Sequence, residues 1–117
     1  MAAKQDPAAM IRQARDLIEG FNHVPLDEAR TLSAPALSDA VQALKQLMER
    51  LPQAFEQTAD VLELLAARGK VVVQPGQDPQ EEVDQTAAEL REAAVGAEDL
   101  ARTLANPASA LFMMGGR

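Results

Sequence analysis

The chain contains one histidine, His23, and no cysteine, tyrosine or tryptophan. That inventory restricts its chemistry. Without thiols there is no cysteine nucleophile, no thiolate metal centre and no disulfide framework. His23 lies between Asn22 and Val24, with neither a nucleophile nor an orienting acid in view, and reads as a loop histidine. Ser33, Ser38 and Ser109 fall in capping or connector contexts, and no Gly-x-Ser-x-Gly elbow surrounds any of them. Carboxylate-bridged metal sites in four-helix bundles take Glu-x-x-His from facing helices; Glu89-x-x-Glu92 lacks the histidine and lies on the polar side of its helix. Glu56, Asp60 and Glu63 align at helical spacing, a pattern open to a cation but ordinarily a solvated face. No glycine-rich phosphate loop is present. The expectation is a protein that is not an enzyme, with no catalytic residues, no metal, no cofactor and no small-molecule substrate.

What remains is recognition. The net charge is −7. Between Asp78 and Asp99 eight carboxylates stand against Arg91 alone, so this window carries the whole of it. Glu81, Glu82, Glu89, Glu92 and Asp99 are the candidate contacts to a basic partner, although a charge run of this kind is more often a solvated face. Lys4, Arg12 and Arg15 each have an acid nearby, and no aromatic platform accompanies them, so direct nucleic-acid binding is not expected. The second candidate is the tetrad Leu111-Phe112-Met113-Met114, the most hydrophobic in the chain. It either folds back into the protein, the preferred reading, or inserts into a partner, a role that suits unbranched, polarisable methionine.

These groups must be positioned by helices. The core has only Phe21, Phe55 and Phe112 as aromatics and is rich in alanine, which suits close helix packing and not sheet. From Pro35 to Arg68 apolar residues recur at Leu37, Val41, Leu44, Met48, Leu51, Phe55, Leu62 and Leu65, a heptad seam with Thr58 in its one polar slot. Ala40, Leu47, Ala54 and Val61 form a second apolar row beside it, so this helix should touch two neighbours. Pro52 lies inside; the seam stays in phase across it and no turn residue flanks it, which predicts one helix over 35–68, kinked at Pro52.

Asp6-Pro7 predicts a first helix over 6–20, closed by Gly20. The segment after it, with Val24, Leu26 and Leu32, reads as a connector folded over one end of the bundle. Gly69 is a C-cap, and Lys70-Val71-Val72-Val73-Gln74 is the one strand-like run, expected to pack on the bundle end. Asp78-Pro79-Gln80-Glu81 opens an acidic, Ala-rich helix over 78–105 with a capping box. Its seam is Val83, Ala87, Leu90, Ala94, Ala97, Ala101 and Leu104. Asn106-Pro107 repeats the cap-and-proline device and sets off an apolar tail, 106–117.

Taken together, the pattern predicts an all-α antiparallel helical bundle in one domain of three main helices, the first lying in the groove of a hairpin formed by the other two. Its wide apolar faces point to a homodimer. The function class is a non-enzymatic protein–protein interaction or scaffold protein; the alternative is a regulatory or inhibitory acidic protein, antitoxin-like or a DNA mimic, that binds a basic partner. The N-terminus lacks the apolar core of a signal peptide, and no run reaches the ~20 apolar residues that span a bilayer, so a cytoplasmic protein is expected. Abundant alanine and the preference for arginine over lysine suggest a bacterial genome of high GC content.

Overall fold

The computed structural model describes residues 6–24 and 33–114, and all regular structure among them is helical. Three helices follow one another: α1, Pro7–Asn22; α2, Ala34–Ala67; and α3, Pro79–Met113. The chain divides into two compact units, the first ending at Leu32 and the second beginning at Ser33. The connector residues Leu26 and Leu32 lie outside the described residues.

In the first unit, the Asp6 carboxylate accepts the N–H of Ala8 at 3.0 Å, and Pro7 occupies the first helical position, where a missing N–H costs nothing. Gly20 does not end α1. The helix runs two residues past it, and the His23 N–H closes the last turn on the Gly20 carbonyl at 3.1 Å. Of the apolar residues of α1, Met10, Ile11, Leu17 and Phe21 are exposed and Ala14 and Ile18 are half-buried.

The second unit is an antiparallel hairpin of α2 and α3. The Ser33 hydroxyl accepts the N–H of Ala36, capping α2. The helix then continues without a break through Pro52, so the prediction of one helix over this stretch holds. Its C-terminus is a Schellman motif. Gly69, at φ +69°, donates to Ala66, and Lys70 donates to Leu65. The left-handed backbone is what requires glycine at that position.

The valine run forms no strand. Val71 and Val73 are half-buried and Val72 is exposed, and the chain then reverses through Gln74-Pro75-Gly76-Gln77. Proline second, glycine third at φ +89° and a Gln77 N–H to Gln74 carbonyl bond make this a type II turn. At the start of α3 the Asp78 carboxylate takes the N–H of Gln80, the second helical residue, and not that of Glu81 as a closed capping box would.

Two expectations about the far end need correction. Asn106-Pro107 does not begin a new element: α3 passes through Pro107 and runs to Met113. Leu111, Phe112 and Met113 are its last turn and do not fold back. Leu111 is half-buried, while Phe112 and Met113 are 72% and 80% exposed. A proline inside a helix forfeits one backbone bond and crowds the carbonyl four residues earlier, but packing on both sides of it can carry the helix through. Here that packing comes from Ala101 and Ala108, both buried against α2.

The seam between the two long helices is lined by small residues. On α3 the most buried positions are Val83, Ala87, Ala94, Ala97, Ala101 and Ala108, with Leu90, Leu104 and Leu111 half-buried beside them. This is the expected seam, extended by two turns. On α2 the result differs from the sequence reading. Buried are Ser38, Pro52 and Ala59, in a row with Lys45 and Ala66 and flanked by Val41, Met48, Phe55 and Leu62. The row Leu37, Leu44, Leu51 and Leu65, expected at the centre of the seam, is displaced to one side. The reason is steric. An alanine face lets helix axes approach closely, and the contact is closest where α2 also offers small residues.

Candidate functional site

Helix geometry sorts the remaining residues into two broad sides of the hairpin. Successive residues turn by 100°, so positions on either flank of the seam repeat every seven residues. One side is identified by Arg91, which reaches from α3 to two carboxylates of α2. Its guanidinium donates to Asp60 Oδ1 at 2.9 Å and to Glu63 Oε1 and Oε2 at 2.6 and 3.3 Å. Asp60 and Glu63, two of the three aligned carboxylates on α2, are thus spent on a cross-helix ion pair. These hydrogen bonds hold the Glu63 carboxyl below its ordinary range and raise the Arg91 guanidinium further above neutrality.

The same side carries a shallow groove of about 850 Å³ between the helices, bordered by Lys45, Glu49, Pro52, Glu56, Glu98 and Arg102. Its two cations are both paired, Lys45 with Glu49 at 3.1 Å and Arg102 with Asp99 just outside the groove, while Glu56 and Glu98 border it as further carboxylates. No acid, base and nucleophile converge there. Among the described residues, no three His, Cys, Asp or Glu side chains cluster in a way that would hold a metal ion. His23 is the C-cap residue of α1, exposed, with Nε2 3.9 Å from a Glu19 carboxylate oxygen.

The opposite side is uncharged. On α2 it comprises Leu37, Ala40, Leu44, Leu47, Leu51, Ala54, Thr58, Val61 and Leu65; on α3 and its C-cap it comprises Val83, Thr86, Leu90, Ala93, Ala97, Leu100, Leu104, Pro107, Leu111 and the cap residue Met114. None of these nineteen positions carries a charge, and only the two threonines have a polar side chain. The α3 members Val83 and Ala97 are absorbed in the seam. Outside it, Leu37, Val61, Leu65, Leu100 and Met114 are exposed, and Leu44, Leu47 and Leu51 are half-buried. Sequence reading found this surface in part, as the second row of α2. It missed that the displaced leucine row and the flank of α3 join it, because that depends on which way α2 is rolled.

The acidic candidates lie on the back of α3, turned away from α2. Glu81, Glu89, Glu92 and Asp99 are exposed and Glu82 is partly so. Glu89 accepts from the Gln85 amide and Asp99 holds Arg102. Arg91, the one cation in the acidic window, is directed across the hairpin to α2, so among the described residues Glu81, Glu82, Glu89 and Glu92 have no paired cation and only Asp99 is held, by Arg102. The apolar candidates Phe112, Met113 and Met114 are exposed at the end of α3. The structure therefore does not bring the two candidate groups into one site. No helix among the described residues is long and apolar enough to cross a membrane. Comparison with family models, with curated proteins and with solved structures finds no match to this chain.

Proposed function

We propose that this chain is a non-enzymatic helical interaction or scaffold protein. One observation carries the reading. The hairpin closes its own seam with alanine and still presents a second apolar surface on one broad side, where a self-sufficient hairpin would carry charge. The partner is a protein, a second copy of the chain included, and Leu111 and Met114 at the end of the hairpin extend the same contact. Comparing capture by the full chain, by a version truncated after Ala108, and by a variant with charge placed on the apolar side tests it. Partners kept by the full chain and lost on either change support the reading; a partner set indifferent to both refutes it.

A second reading has its own observation. Because Arg91 is engaged with Asp60 and Glu63, the back of α3 offers Glu81, Glu82, Glu89 and Glu92 with no competing cation. A regulatory or inhibitory role, in which this face neutralises a basic protein, would give binding that falls steeply with ionic strength. Binding through the apolar side would not. Loss of a measured activity on His23→Ala would overturn both readings in favour of an enzyme.

A further inference from the structure

We propose that the uncharged side of the hairpin is covered by a second copy of this chain, the two hairpins lying face to face and antiparallel. This rests on the reading of the protein as an interaction module and names its partner. Size is the first argument. The row from Leu37 to Leu65 runs about 42 Å at 1.5 Å per residue, and two helices side by side are about 20 Å wide. That face, roughly 800 Å², equals what each partner contributes to a stable interface of standard size. A covering surface must match it in length and in lack of charge, and an identical hairpin does both.

Charge sets the orientation. The half of the hairpin nearest its turn, residues 56–96, holds nine carboxylates and three cations; the other half, 33–55 with 97–114, holds four carboxylates and three cations. Stacking the hairpins in parallel would bring the two acidic halves together. Antiparallel stacking sets each acidic half against a nearly neutral one. With the faces in contact, this arrangement places the two-fold axis across mid-length, so α2 lies on α2 and α3 on α3. Leu51 and Leu100 then meet their own counterparts, and Leu37 meets Leu65 of the second copy.

Sedimentation equilibrium of the full chain from low to high micromolar concentration should give a dimer mass. The double variant Leu44→Glu with Leu100→Glu should give a monomer of unchanged helical circular dichroism, while Gln53→Glu, on the charged side, should remain dimeric. Because the chain has no cysteine, orientation can be read from single cysteines with a short thiol cross-linker. Leu100→Cys should link to itself. Thr86→Cys should not link to itself, since the two copies stand roughly 42 Å apart, but should link to Met114→Cys in a mixture. A parent chain that stays monomeric overturns the second copy as partner while leaving the wider interaction reading to the capture experiment. A dimer indifferent to the glutamates overturns the face. Self-linking at Thr86 overturns the orientation.

Discussion

The Ser38 hydroxyl donates a 3.0 Å hydrogen bond to the carbonyl of Ala108, joining α2 to α3 across seventy residues of sequence. Ser38 is 1% exposed and Ala108 is fully buried, so the bond lies in a dry contact. A short side chain reaches a backbone carbonyl of the neighbouring helix only if the axes are close, which the alanine at 108 permits. The bond fixes the open ends of the hairpin opposite its turn. Replacing Ser38 by alanine should therefore lower stability by about 1 kcal/mol, the usual net value of one hydrogen bond. Urea denaturation should show a lower midpoint with an unchanged slope.

Close approach along the seam makes enlargement costly. Ala94 is 1% exposed, so Ala94→Leu should destabilise by about 1–3 kcal/mol through overpacking. The same substitution at Ala88, exposed and outside the uncharged side, should be neutral within about 0.5 kcal/mol. Thermal unfolding of the two variants checks the assignment of seam against flank.

The two internal prolines should behave differently. Pro107 is exposed, and alanine there restores a backbone donor and removes a clash, raising stability by about 1–3 kcal/mol. Pro52 is buried against α3, so Pro52→Ala regains the same bond but leaves a gap in the seam. Its gain should be the smaller of the two in parallel denaturation curves.

The Arg91 contact predicts a pH dependence. Glu63 is held below its ordinary range chiefly by its hydrogen bond to Arg91. A carboxyl whose pKa is lowered by folding contributes its stability above the unfolded pKa, and loses it as pH falls through the folded one. The pair is exposed, so the effect is small and weakened by salt. Arg91→Gln should melt slightly below the parent at neutral pH and low salt, and the gap should close as the pH drops below the carboxylate range. A gap that persisted there would assign the loss to packing instead.

Much of this protein was settled before any side chain was placed. The prolines and aspartates at 6–7 and 78–79 determined where α1 and α3 begin, because a capping carboxylate and a residue without an N–H suit the first turn and little else. Gly69 set the end of α2 through its left-handed backbone, and the heptad alternation of α3 marked its buried face, because alanines and leucines at steps of three and four share one side of a helix. The tertiary structure alone decided the roll of α2. Its apolar residues cover a sector too wide for one seam, and periodicity ranks leucine above serine, proline or alanine as a core residue. Closeness of approach reverses that ranking: against an alanine helix the small row of Ser38, Pro52 and Ala59 goes inside and the leucine row is left on the flank. The helical path through Pro107 was decided in the same way, by contacts on either side that no local signal records. The candidate surface depends on that choice, since rolling α2 by one residue moves Leu37, Leu44, Leu51 and Leu65 from the seam to the side of the hairpin.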